Sequence, residues 1–241
     1  MRALLLAAGT GSRLRPLTNT TPKCLVPVHG RPLLDYWLDL VFESHIQRAL
    51  VNTHWLADQV RAHVAASPWR SRVDLVHEDQ LLGTGGTILA NRDWFGGEAF
   101  LVAHADNLTD FNVARLVSAH CDRPAGCLMT MLAFRTDDPA SCGILELDRQ
   151  NRVTAFHEKV ENPPGNLANG AVYVFEPDVI EDIARLGKST VDLSTEIIPN
   201  YLGRILSVET DGYHRDIGSP ESLQRAHSEF KRTPSYVARQ G

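Results

Sequence analysis

Two hydrophobic periods alternate along the first half of the chain. Residues 4–7 form a short, unbroken apolar run stopped at Gly9, the pattern of a strand covered on both faces in a parallel sheet. Residues 49–52, 73–77 and 100–103 repeat it. Between these runs the spacing changes: Leu33, Leu34, Trp37, Leu38, Val41 and Phe42 fall at i, i+1, i+4, i+5, i+8 and i+9, one face of a helix, and residues 56–66 and 112–120 follow the same idea. Strands alternating with helices predict right-handed βαβ units in a doubly wound sheet, where ligands bind beyond the carboxyl ends of the strands.

The second half is less regular. Residues 128–134, 143–147, 153–156 and 171–175 are strand-like with loops between, which predicts an antiparallel or mixed extension of the sheet. The last helix is well signalled: Ser219 suits an N-cap, Pro220 the first helical position and Glu221 the positive end of the dipole, while Leu223, Ala226 and Phe230 give an apolar stripe. From Lys231 the chain is polar, with Pro234, and a frayed tail is expected. No linker, low-complexity run or internal repeat interrupts the pattern, so one domain over residues 1–241 is expected.

Composition narrows the classes. With 241 residues, 43% hydrophobic and 22% charged, the chain matches an ordinary globular protein and excludes disorder, collagen-like repeats and coiled coils. A net charge of -5 without a Lys or Arg run offers no footprint for polymeric nucleic acid, but leaves room for a small anionic ligand. Cys24, Cys121, Cys127 and Cys142 form no C-x-x-C pair and have no nearby His at ligand spacing, which argues for reduced thiols in the cytosol and against zinc. The apolar start is too short for a signal segment or membrane span, so a cytoplasmic protein is expected.

Leu6-Ala7-Ala8-Gly9-Thr10-Gly11-Ser12-Arg13-Leu14 follows the first strand. Glycines let backbone N–H groups turn toward phosphate oxygens, and small Ala7, Ala8 and Ser12 keep the approach clear. The segment is neither the dinucleotide fingerprint, because the third glycine position is Leu14, nor a Walker loop, because no Gly-Lys-Ser/Thr follows. A tight strand-to-loop turn explains a lone Gly-x-Gly equally well; Arg13 and Lys23, cations on the same loop, tip the balance toward a triphosphate.

Extended to Arg15-Pro16-Leu17-Thr18, then Pro22-Lys23-Cys24-Leu25-Val26-Pro27-Val28 and Arg31-Pro32-Leu33, this block closely resembles the signature of the sugar-1-phosphate nucleotidyltransferases. The resemblance continues through Leu82-Gly83-Thr84-Gly85-Gly86, Ala105-Asp106, Phe156-His157-Glu158-Lys159, Asn169-Gly170-Ala171-Val172-Tyr173 and Asp216-Ile217-Gly218-Ser219-Pro220. It implies a Rossmann-like, three-layer α/β/α fold with a mainly parallel mixed sheet, of the GT-A-like nucleotide-diphospho-sugar transferase type. The nucleotide-binding half would be about residues 1–120 and the sugar-binding half about 121–230.

The resemblance also implies roles. Leu6, Ala7, Ala8, Gly9, Thr10 and Gly11 would surround the nucleotide, with Arg13 and Lys23 on the triphosphate charge; Gly83 would lie under the base with Glu78-Asp79-Gln80 near its edge, and Thr84 would also bind the nucleotide. Asp106 and Asp216 would be the metal ligands, a hard-oxygen pair suited to Mg²⁺ bridged by phosphates. Family members usually carry Gly before the first of these, where this chain has Ala105; alone, Asp216 could equally be a surface partner of Arg215. Gly143, Glu158, Lys159, Asn169 and Thr195 would hold the sugar phosphate. His54, His77, His104 and His157 follow strand-like runs and are expected to be structural.

The activity implied is transfer of a nucleoside monophosphate from an NTP to a sugar 1-phosphate. The Leu82–Gly86 block with acidic Glu78 and Asp79 most resembles guanylyltransferases acting on mannose or heptose 1-phosphate, since a carboxylate can accept from the guanine N1–H and N2–H₂ edge. The alternatives are a uridylyl- or thymidylyltransferase and a non-catalytic regulatory subunit that binds nucleotide sugar. A homo-oligomer is compatible with the resemblance; nucleic-acid and membrane partners are not expected.

Overall fold

The computed structural model describes residues 1–231; the tail expected to fray lies outside the described residues from 232 onward. In chain order the strands are β1 (Ala3–Leu6), β2 (Pro27–Val28), β3 (Arg31–Pro32), β4 (Ala49–Thr53), β5 (Val73–His77), β6 (Phe100–His104), β7 (Asn107–Thr109), β8 (Met129–Arg135), β9 (Gly143–Leu147), β10 (Val153–Glu158), β11 (Leu167–Phe175), β12 (Ile205–Glu209) and β13 (His214–Asp216). The helices are α1 (Leu33–Glu43), α2 (Ala57–Ala66), α3 (Gly83–Ala90), α4 (Arg92–Phe95), α5 (Val113–Cys121), α6 (Asp178–Arg185) and α7 (Pro220–Glu229).

The nine-stranded sheet runs β10-β9-β11-β6-β1-β4-β5, with β8 joined to β11 and β12 to β8. Strands β6, β1, β4 and β5 are mutually parallel, as their unbroken apolar runs predict, and β11 turns antiparallel against β6. One face packs under α1, α2 and α5 through Trp37, Val41, Val64 and Leu116. The other packs under α3, α4 and α6 through Ile88, Phe95, Val179 and Ile183. These are the three layers expected. A third, smaller cluster joins Leu14, Val26, Tyr36 and Ile217 to Ala226 and Phe230 of α7, so that the helix announced by Ser219 braces the signature segment. Ser219 and Ser222 close a reciprocal capping box at its start.

Element limits shift where local chemistry competes. Strand β1 ends at Leu6 rather than residue 7, because Ala7 N donates to the Asn52 side chain. Helix α2 begins at Ala57, since Leu56 sits at a left-handed φ of 53°. Strand β11 is much longer than residues 171–175: it starts at Leu167 and carries a bulge between Asn169 and Tyr173, with Ala171 at φ 53°. The four cysteines are free.

Candidate active site

The signature segment leaves β1 and winds through three single 3₁₀ turns, Ser12–Leu14, Leu17–Asn19 and Lys23–Leu25. Its first amide is held by Asn52 Oδ1 at the end of β4, 2.7 Å from Ala7 N. Gly11 has a left-handed φ of 63°, and a Cβ there would stand 2.8 Å from Thr18 Cγ2 and 3.2 Å from Lys23 Cβ. This glycine lets the Lys23 stem pass. Gly9 differs: a Cβ on it would meet nothing within 4 Å, so the protein's own packing gives no reason for a glycine there.

Two distant carboxylates meet beside this loop. Strand β13 pairs antiparallel with β7, placing Asp216 opposite Asn107, and Ile217 N donates to Asp106 O at 3.1 Å. Trp37 Nε1 donates to Asn107 O at 2.8 Å, fixing the ladder to α1. Lys23 Nζ donates to Asp106 Oδ2 at 2.5 Å and to Asp216 Oδ1 at 3.1 Å, while Arg13 approaches Asp216 Oδ2 at 3.5 Å. Burial alone would lower the Lys23 pKa, but Asp106 and Asp216 outweigh it and hold the ammonium above its ordinary value. Burial likewise pushes the Asp106 carboxyl up, and Lys23 with His104 outweighs that and holds it below the usual carboxylate range. Asp216 does not pair with Arg215, whose guanidinium is engaged by Tyr213, Asp137 and Glu229. Arg13, Lys23, Asp106 and Asp216 are therefore one contiguous cluster.

A cleft of about 200 Å³ opens next to it, lined by Leu6, Ala8, Gly9, Glu78, Gly83 and Thr84 together with Asp106. Of the residues expected around a nucleotide, Ala7, Thr10 and Gly11 do not line it. Glu78 is buried, and its carboxylate is engaged by the protein itself: Oε1 accepts from Asn52 Nδ2 at 2.9 Å and Thr87 Oγ1 at 2.6 Å, and Oε2 from Leu82 N at 3.2 Å. Asn52 and Thr87, unassigned in the sequence, also line the cleft, and so does His104, which the sequence reading expects to be structural. A polar Asn closing the apolar run of β4 was the one available signal. His54, His77 and His157 have protein partners, Glu78 O, Thr53 and Glu146, in keeping with structural roles.

The Leu82–Gly86 block is shaped by a segment far along the chain. Gly83 has φ 71°, and a Cβ on it would lie 2.6 Å from Val191 O. Gly85 N and Gly86 N donate to that same oxygen at 2.8 and 3.2 Å, Val191 N donates to Leu82 O, and Leu193 N donates to Thr84 Oγ1 at 2.7 Å. Gly83→Ala is expected to destabilise the protein by about 2–4 kcal/mol in chemical denaturation, combining a left-handed alanine with a backbone clash. A value within a few tenths of wild type would show that the 189–193 segment gives way freely.

On the other half, a Cβ on Gly143 would meet the Phe156 ring at 2.5 Å and Glu158 Oε2 at 2.6 Å, so the glycine makes room for Glu158. Asn169 Nδ2 donates to Tyr173 Oη at 2.7 Å, and the Tyr173 hydroxyl is pushed up by burial, eased by Asn169 and reinforced by Glu158 and Asp192. Lys159 turns at φ 49° and its exposed ammonium lies 3.3 Å from Glu158 Oε1. Gly143, Glu158, Lys159 and Asn169 thus gather at the ends of β9, β10 and β11. Thr195 is exposed and donates through N and Oγ1 to Asp192, whose charge bears on the Tyr173 hydroxyl.

The nucleotidyl transferase family profile matches residues 2–233, and the chain belongs to that family. A mannose-1-phosphate guanylyltransferase of Mycobacterium tuberculosis is 31% identical over 235 residues, covering 95% of this chain and 64% of the relative. The Drosophila melanogaster mannose-1-phosphate guanylyltransferase catalytic subunit beta is 29% identical, covering 92% and 60%. The chain therefore spans less than two thirds of these relatives' length. HddC from Yersinia pseudotuberculosis, solved in complex with GMP-PN, superposes with a TM-score of 0.80 at 25% identity, over 95% of this chain and 99% of that one. A Bacillus anthracis protein named as a glucose-1-phosphate thymidylyltransferase reaches a TM-score of 0.85 at 22% identity over 98% and 99%, a likeness of fold. The expected three-layer, GT-A-like architecture is borne out. Among the described residues no helix is long and apolar enough to cross a membrane.

Proposed function

We propose that the chain transfers a nucleoside monophosphate from an NTP, with GTP favoured, to a mannose- or heptose-type sugar 1-phosphate, releasing pyrophosphate. The observation that carries this reading is the cluster of Arg13, Lys23, Asp106 and Asp216 beside the cleft opening at Gly9. The sugar phosphate oxygen attacks the α-phosphorus in line and pyrophosphate leaves, so no side-chain nucleophile is needed. Arg13 and Lys23 neutralise triphosphate charge, Lys159 meets the sugar phosphate, and Glu158 and Asn169 meet ring hydroxyls. Guanine is supported by the names of the 31% and 29% identical relatives and by the GMP-PN bound to HddC. Glu78 adds little support, because its oxygens already have partners.

Asp106 and Asp216 would hold a divalent cation, Mg²⁺ in our reading. Among the described residues no group of three or more His, Cys, Asp or Glu is placed to hold a metal, so two carboxylates are the protein's share. That set fits Mg²⁺, which binds through one or two carboxylates plus substrate phosphates and water. When bound, the cation adds positive charge at the phosphate oxygens.

The test is pyrophosphate release with each NTP in turn and a panel of sugar 1-phosphates. Release should be greatest with GTP and a mannose or heptose 1-phosphate; a maximum with UTP or dTTP would transfer the reading to the uridylyl- or thymidylyltransferase. No release with any pair would favour the regulatory subunit. Lys159→Ala should raise the KM for the sugar 1-phosphate about tenfold or more while NTP binding stays near wild type. Equal dissociation constants for the sugar phosphate would return Lys159 to the role of a solvated partner of Glu158.

A further inference from the structure

The two carboxylates assigned to the metal already have a cation between them. Lys23 Nζ touches Asp106 Oδ2 at 2.5 Å and Asp216 Oδ1 at 3.1 Å, and its side chain is only 8% exposed. A magnesium ion held by both carboxylates would share them with that ammonium, and two cations on one pair of carboxylates in a half-buried site repel. No third protein ligand compensates among the described residues. What can compensate is a triphosphate, which supplies oxygens to the metal and a second anion for Lys23. The lysine is suited to such an exchange, being a flexible stem with a point charge, and its stem runs past Gly11 on the loop that leads to the open Gly9. Arg13, the second cation on Asp216, is 72% exposed.

We infer that Lys23 is an internal counter-ion that closes the metal site in the nucleotide-free protein, so that the divalent cation enters with the nucleotide and not as the free ion. The inference rests on the assignment of Asp106 and Asp216 as ligands. It gives Lys23 two positions: between the carboxylates before the nucleotide arrives, and on the phosphates afterwards.

The test is Mn²⁺ binding, read by the electron paramagnetic resonance signal of free Mn²⁺, on the full chain without nucleotide. Wild type should bind Mn²⁺ alone with a Kd weaker than about 1 mM, and Lys23→Met at least about tenfold more tightly, because two carboxylates are left without a counter-charge. Lys23→Arg, which keeps the charge, should resemble wild type. In Lys23→Met/Asp106→Asn the gained binding should vanish. If wild type alone binds Mn²⁺ as tightly as Lys23→Met, and Asp106→Asn removes that binding, the ligand assignment stands and the counter-ion inference falls. If Lys23→Arg binds as tightly as Lys23→Met, charge is not what closes the site, and the inference falls. Binding in Lys23→Met that ignores Asp106→Asn would sink the ligand assignment and the inference together. Should Lys23→Met not fold, the wild-type and Lys23→Arg measurements still decide, since submillimolar binding in either overturns the inference.

Discussion

Asp106→Asn is expected to lower kcat/KM by about 10³ or more, and EDTA should abolish turnover of the wild type. A metal contributes several kcal/mol of charge stabilisation in phosphoryl chemistry, and an amide oxygen is a far poorer ligand than a carboxylate in a site with only two. The fold should survive. Lys23 keeps Asp216 at 3.1 Å, the new amide oxygen still accepts from its ammonium, and the ladder holding both positions is backbone, through Ile217 N to residue 106 O and β13 to β7. Melting should therefore fall only by several degrees, the lost counter-charge being worth about 1–3 kcal/mol. A folded Asp106→Asn enzyme active within a few-fold of wild type would show that Asp106 holds no metal.

What the sequence made legible, and what it hid, follows from the range of the forces involved. The helical stripe from Leu33 to Phe42 and the apolar runs of β1, β4 and β6 are local patterns, and the structure buries them as expected. The capped start of α7 is local too. The cation cluster was legible as a membership list, through resemblance, but not as geometry. The resemblance implies that Lys23 bears on a triphosphate, but its bridge between the two carboxylates depends on β13 pairing with β7 across a long stretch of chain. Gly83 is similar. The resemblance implies a place under the base for it, while the Val191 carbonyl, remote in sequence, already leaves no room for a Cβ. The bulge that turns Asn169 was hidden because it arises from the mismatch of β11 with β8, a property of two strands together.

The same distinction separates two roles for Glu78, and Glu78→Gln tells them apart. Strands β4 and β5 are parallel neighbours, so their ends bring Asn52 and Glu78 together, and α3 adds Thr87. Asn52 in turn holds Ala7 N, and Glu78 holds Leu82 N, so one buried carboxylate ties the Gly9–Gly11 loop to the Leu82–Gly86 loop. In Glu78→Gln one side-chain oxygen still accepts from Asn52 and Thr87, but an NH₂ group faces Leu82 N, leaving donor against donor. A buried N–H without an acceptor costs about 1–3 kcal/mol, and Glu78→Ala, which also removes the acceptor for Asn52, should cost about 2–4 kcal/mol. Both variants should raise the KM for every NTP together, since the cleft loosens as a whole. A carboxylate that reads guanine predicts a different result: Glu78→Gln would keep wild-type stability and lose its preference for GTP over UTP. Urea midpoints and the ratio of kcat/KM for the two nucleotides, measured on the same variant, decide between them. The three hydrogen bonds already made by Glu78 put the expected outcome on the side of stability lost and preference retained.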